Sequence, residues 1–279
     1  MQIFKIAGLM TGLTLLFIGA GYALGGQSGA TVAFAFAVVM NVGSYWFSDR
    51  VVLRMYRAQV VDRRQAPELY EMVERLARRA DLPVPTVAIS PQPQPNAFAT
   101  GRSPAKGVVC FTQGILQALS RDELEGVTAH ELAHIKHRHV LVATVAATLA
   151  GAVMMLATWA RWGLLFFGGG RSRDDNFLGV LAMSIVAPLA AVIVQTAISR
   201  QNEFQADRTG AEIAGTPRGL SSALRRLDAH ARQIPMEVNP AAAQLAIVNP
   251  LSGWRGLGLM KLLSTHPPME ERVARLEGR

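Results

Sequence analysis

The run His130-Glu131-Leu132-Ala133-His134 carries the sharpest chemistry in the chain. On a helix, positions i and i+4 share one face. Two imidazoles there can hold one small ion at Zn–N distances of about 2.0–2.1 Å. Glu131 stands between them, placed to take a proton from water that such an ion activates. By chance the pattern arises in roughly one sequence of this composition in 200. The competing reading is a surface helix with two unrelated histidines. Against it, four of the six histidines fall between positions 130 and 139. A catalytic zinc takes three protein ligands and keeps one position open. His137 lies about 10.5 Å along a helix axis from His130, too far for one ion to bind 130, 134 and 137. The metzincin pattern needs Gly at 137 and His at 140, where this chain has His137 and Val140. The third ligand must come from elsewhere, and Glu203-Phe204-Gln205-Ala206-Asp207 again sets two carboxylates at i and i+4. Glu203 is the candidate ligand and Asp207 the candidate orienter of a ligand imidazole. The competing reading here is an exposed acidic helix.

What must position these residues follows from composition. The 279 residues are 50% hydrophobic and 17% charged, with net charge +8 and one cysteine. Residues 1–49 and 140–199 hold only seven charged side chains; the rest of the chain has an ordinary soluble content of about 24%. This excludes disorder, a disulfide scaffold and a simple cytosolic enzyme. No basic stripe with interleaved aromatics supports nucleic-acid binding. Cys110, among Val108, Val109 and Phe111, reads as a small buried hydrophobe. A membrane span needs about 20 apolar residues, and four stretches qualify: about 6–24, 30–47, 140–160 and 176–199. Arginines 50, 54, 57, 63 and 64 follow the second stretch, and 200 and 208 follow the fourth. The positive-inside rule then places residues 50–139 and 200–279 in the cytoplasm. A hairpin over 140–199 would bring Glu203 back to the face where His134 stands.

Within 50–139 the periodicity predicts a helix over 66–80 and short strands over 86–90, 96–100 and 107–112, with the proline-rich 91–95 leaving one strand at an open edge. Ser120 with Glu123 forms a capping box opening a helix that runs through His139 toward the third apolar stretch. Helices follow over 203–214 and 220–232, and a last one ends at 277. The fold class is mainly α with a small β-sheet: an integral membrane protein with about four transmembrane helices and a zincin-like cytoplasmic protease domain.

HELAH followed downstream by EFQAD resembles the gluzincin arrangement. Its placement around two apolar stretches resembles the HtpX family of membrane zinc endopeptidases, kin to the integral-membrane CAAX prenyl proteases. The likeness covers essentially the whole chain, including Pro-Asn-Ala-Phe-Ala-Thr-Gly at 95–101, SRQNEFQAD at 199–207 and Ser-Thr-His-Pro-Pro at 264–268. It implies His130, His134 and Glu203 as ligands of one zinc ion, Glu131 as general base and Asp207 as the acid behind a ligand histidine. His266 matches a histidine that faces the substrate carbonyl, Arg272 the arginine six positions on, and Asn96 the start of an edge strand that pairs with substrate backbone. From the residues alone, His266 and Asn96 also read as turn residues and Arg272 as a solvated helix residue. Family members often carry an acid near position 139; here His139 stands there, and His137 and His139 read as interfacial or solvated.

The expected chemistry is metal-assisted peptide hydrolysis of protein substrates, chiefly membrane proteins or their exposed loops. The resemblance implies disposal of damaged or misfolded ones at a bacterial cytoplasmic (inner) membrane, with the site facing the cytoplasm. The alternatives are a narrow-specificity processing protease of the prenyl-protease type, a catalytically silent zinc-bearing scaffold, and a transporter. Glu131 argues against the scaffold, and the scarcity of charge inside the apolar stretches against the transporter.

Overall fold

The computed structural model describes residues 2–142, 200–231, 247 and 267–278. The N-terminal helix α1 (Gln2–Met55) is apolar along most of its length and doubles back on itself at Gly26, whose φ of +57° is a left-handed conformation open to glycine. Asn41 Nδ2 donates to Thr14 Oγ1 at 2.9 Å, and the Phe17 and Phe36 rings meet edge to face at 5.6 Å. In a straight helix residues 14 and 41 would be about 40 Å apart. Among the described residues, Gly26–Phe47 is the one stretch long and apolar enough to cross a membrane. The first arm, expected to span over 6–24, contributes a shorter apolar helix, Met10–Gly19. The expected third and fourth spans lie outside the described residues, except for 140–142.

Beyond Phe47 the second arm runs on without a break to Met55 and is built into the soluble part. Val52 and Tyr56 are fully buried against Ala88, Phe98, Val108 and Cys110. The Tyr56 and Phe98 rings lie 4.4 Å apart, and Ser90 Oγ donates to the Tyr56 carbonyl at 2.5 Å. Burial pushes both the Tyr56 phenol and the Cys110 thiol up, so Cys110 behaves as the packing residue expected.

Four strands form a mixed sheet in the order β1–β2–β4–β3: β1 (Gln59–Val61), β2 (Thr86–Ser90), β3 (Ala97–Thr100) and β4 (Val108–Thr112). β2 and β4 are parallel; β1 with β2 and β3 with β4 are antiparallel. The three predicted strands are present, and among the described residues β3 is an edge strand, as is β1. β1 was not anticipated. Helix α2 (Pro67–Arg79) turns Leu69, Met72, Val73, Leu76 and Ala77 into the core, as its spacing predicts. A short helix α3 (Gln113–Ala118) follows β4, capped where Thr112 Oγ1 accepts from the Ile115 amide.

Helix α4 (Arg121–Lys136) is the centre of the fold. Its capping box is complete: Ser120 Oγ accepts from the Glu123 amide at 3.4 Å, and Glu123 Oε2 accepts from the Ser120 amide at 2.8 Å. Core residues Val127, Ala129, Leu132 and Ala133 are enclosed by the sheet and α2 and by helices α5 (Arg200–Ala214), α6 (Arg218–Ala231) and α7 (Met269–Leu276). One expectation fails. The helix does not run through His139 but stops at Lys136, and Arg138 takes φ +59° before helical geometry resumes at 139.

Truncating Tyr56 to Ala should lower stability by about 3–5 kcal/mol in denaturant unfolding of the detergent-solubilised chain. A change below about 1 kcal/mol would show that the helix is not packed into the sheet.

Candidate metal centre and active site

α4 presents His130 and His134 on one face, and α5 presents Glu203 and Asp207 toward them. The two helices meet at Gly210, where a Cβ would stand 2.9 Å from both the Cα and N of His130. Only a residue without a side chain permits that approach. Gly210 is seven residues past Glu203 and three past Asp207, on the same helical face, so its small size was a readable signal that the sequence analysis did not use.

The two Nε2 atoms of His130 and His134 face each other at 3.0 Å with the rings nearly perpendicular. Glu203 Oε1 lies 3.5 Å from His134 Nε2, and Oε2 lies 3.9 Å from His130 Nε2. Ligands placed tetrahedrally at 2.0–2.1 Å from an ion are about 3.3–3.4 Å apart, which these separations bracket. Burial pushes the His134 imidazole well below its usual range, so it is neutral at pH 7. Two imidazole nitrogens and one carboxylate oxygen thus converge in a buried place where they could hold a metal ion.

The outer nitrogens set the tautomers. His130 Nδ1 lies 3.0 Å from Asp207 Oδ1, so the proton belongs on Nδ1 and the Nε2 lone pair is bare. Burial pushes the Asp207 carboxyl up, but the Arg272 guanidinium outweighs it and holds the group at about 2. Arg272 grips Asp207 with two bonds, Nε to Oδ2 at 2.9 Å and Nη2 to Oδ1 at 2.7 Å. It is 0% exposed, not a solvated helix residue, and its Nη1 also lies 3.6 Å from Glu203 Oε2. Arg272 Nη1 donates to the Ile247 carbonyl at 3.2 Å, and the Ile247 amide donates to Asn96 Oδ1 at 3.1 Å. Ile247 therefore straps Arg272 to the start of β3; no sequence motif marked it. Asn96 is buried, and its amide donates to Thr112 Oγ1 at 2.8 Å.

His139 departs from the sequence reading. It is 5% exposed rather than solvated, and its Nδ1 lies 3.2 Å from His134 Nδ1. A neutral His134 with a bare Nε2 donates from Nδ1, and His139 accepts. Burial, then the neighbouring His137 charge, lowers the His139 imidazole to about 4. His137 is tied to α5: Gln205 Nε2 donates to its Nδ1 at 3.3 Å, and its Nε2 donates to Thr209 Oγ1 at 3.0 Å.

Glu131 is buried, and burial and the adjacent Glu203 charge raise its carboxyl well above the usual range. A backbone hydrogen bond from Ala99 acts in the opposite direction. The Thr112 amide donates to the Asn96 carbonyl at 2.9 Å, so Asn96, Phe98 and Thr100 exchange bonds with β4. Ala97 and Ala99 turn their backbone groups away from β4, and that of Ala99 meets Glu131. His266 lies outside the described residues, directly before Pro267.

Comparison with known proteins gives the family. The model for Peptidase family M48 matches residues 63–279. A protein named "Protease HtpX homolog" from Gemmatimonas aurantiaca is 57% identical over 98% of this chain and 97% of its own. Namesakes from Salinibacter ruber (56% identical; 99% and 98% covered) and Thermococcus kodakarensis (52%; 96% and 92%) are similar over comparable lengths. Among solved structures, the crystal structure of S. mikatae Ste24p shares the fold with a TM-score of 0.51 at 20% identity. That match covers 98% of this chain but 63% of the Ste24p chain, just under two thirds. The chain therefore belongs, with these HtpX proteases, to peptidase family M48: it is a metalloprotease.

Proposed function

We propose that the chain is a membrane-embedded zinc endopeptidase that cleaves the cytoplasmic regions of membrane proteins, damaged or misfolded ones in particular. The observation that carries this reading is the convergence of His130, His134 and Glu203 beside Glu131 and the open edge of β3. In this reading one zinc ion is held by His130, His134 and Glu203. Bound there, zinc supplies Lewis acidity toward a peptide carbonyl and toward water.

The chain's own groups do the rest. An extended substrate adds to β3 through the outward backbone groups of Ala97 and Ala99, which reads main chain and gives little side-chain selectivity. Asn96 fixes the start of that strand. The Glu131 carboxylate accepts a proton from the attacking water and returns it to the leaving amine. Its raised affinity for protons suits that exchange. His266 donates to the developing oxyanion; support comes from its place six residues before Arg272, whose Nη2 lies 3.4 Å from His130 Nε2. Arg272 and Asp207 hold His130 in the orientation the ion needs, so Arg272 acts as a positioning residue rather than as a group touching substrate.

Two apolar hairpins, over 1–49 and 140–199, anchor two cytoplasmic parts, 50–139 and 200–279. The run of arginines after Phe47 and the absence of basic residues from the 25–29 turn support an inner-membrane enzyme with its site facing the cytoplasm.

Glu131→Gln should keep its metal but lose casein cleavage by about 100-fold or more; undiminished cleavage would remove Glu131 as the base. Glu203→Ala should lower metal occupancy in elemental analysis, and full occupancy would remove it from the ligand set. Arg272→Met, which leaves buried carboxylates without their cation, should cost about 3–5 kcal/mol in unfolding free energy. His139→Leu should weaken metal retention against a chelator by about 10–100-fold, and His139→Asp, which restores an acceptor, should recover it. Equal retention in all three proteins would remove His139 from any role at the metal.

A further inference from the structure

The height of the cleavage site above the bilayer is built into the contact between α1 and β3. Two contacts tie these elements together. The Arg102 guanidinium, two residues past β3, lies 4.3 Å from the centroid of the Trp46 ring, and Phe98 packs on Tyr56 at 4.4 Å. From Trp46 to Tyr56 the helix rises about 15 Å. From Phe98 to Arg102 the chain covers at most about 13 Å, and less because it turns at Gly101, whose φ is +126°. These contacts place the Phe98 part of β3 beside Tyr56 and the turn at Arg102 beside Trp46, so β3 follows α1 with its Arg102 end toward the membrane.

Trp46 marks the membrane boundary. Tyr45, Trp46 and Phe47 are exposed aromatic residues at the end of the apolar stretch Gly26–Phe47. Arg50 lies over the Phe47 ring at 5.6 Å, and Arg54 follows one turn later. An aromatic cluster followed by cations is the signature of the headgroup layer. Ala99, whose backbone faces Glu131, is three residues from Arg102, at most about 10 Å away. The headgroup layer is about 5–8 Å thick. The reacting peptide bond therefore sits just outside it.

We propose that the preferred substrate is the first few residues of an extended chain rising out of the bilayer, cut about three to six residues from the membrane boundary. A strand paired with β3 runs along α1 and hence close to the membrane normal. A chain leaving the bilayer in that direction enters the edge without bending, whereas a helix lying flat on the surface does not. The reaction is hydrolysis: water adds its oxygen to the carbonyl carbon, the C–N bond breaks, and the amine leaves with a proton. This proposal rests on the endopeptidase reading above.

The test uses the full chain in nanodiscs containing anionic lipid. The substrate is a single transmembrane helix followed by an unstructured tail of one repeated cleavable sequence, with cut positions mapped by mass spectrometry. Cuts should cluster within three to six residues of the last membrane residue and should stay there when whole repeats are added or removed distally. Cuts spread evenly along the tail would overturn the proposal. Soluble casein, assayed in the same nanodiscs, separates the two readings. Casein cleavage that depends on Glu131 together with evenly spread cuts defeats the placement alone, while casein cleavage indifferent to Glu131→Gln defeats the endopeptidase reading itself. The pair Trp46→Ala and Arg102→Ala should broaden the cut positions while leaving casein cleavage intact, which also reports a folded enzyme. A distribution that stays narrow in that active variant would overturn the role of the contact.

Discussion

Three carboxylates and one guanidinium share a buried space. Glu131, Glu203 and Asp207 are buried around the same pair of imidazoles, with Arg272 as the one cation in their midst among the described residues. Fully ionised, they carry a net charge of −2, and desolvated charge of that kind must be balanced or neutralised. A divalent ion supplies the balance, so the polar centre and the metal are two halves of one electrostatic arrangement. The rest of the fold serves that arrangement. α4 is packed into the core so that His130 is buried, and α5 comes close enough, at Gly210, for its carboxylates to reach both histidines.

The asymmetry of support behind the two histidines follows from the same constraint. His130 is backed by a carboxylate that is itself neutralised by Arg272. His134 is backed by the neutral imidazole of His139. A fourth buried carboxylate at position 139 would add charge to a centre that has only one arginine. A neutral acceptor fixes the His134 tautomer without adding any.

Much of this was legible in the sequence because it is local. The i, i+4 spacing of HELAH and EFQAD, the Ser120–Glu123 capping box and the three predicted strands each depend on residues within a few positions of one another. The order of the elements allowed Glu203 to be matched with His134 across 69 residues. What was not legible depends on contacts between distant segments or on single backbone angles. Ile247 matters through its backbone groups, which link Asn96 to Arg272 and carry no side-chain signature. His139 looked like one more interfacial histidine until the fold buried it. β1 is three residues long, too short for alternation to show. The stop at Lys136 comes from Arg138 adopting a conformation that its residue type does not announce.

That stop separates two mechanical regimes. The second arm of α1 is an unbroken rod from the apolar stretch into the sheet, so a change in its tilt is carried directly to β3. The helix bearing both histidines has a joint at His137–Arg138 before the chain turns toward its next apolar segment. The joint does not isolate the site, because His139, just past it, keeps its Nδ1 3.2 Å from His134 Nδ1. Motion of α1 thus bears on β3 through packed side chains, and motion beyond residue 138 bears on the ligand cage through the His139 imidazole.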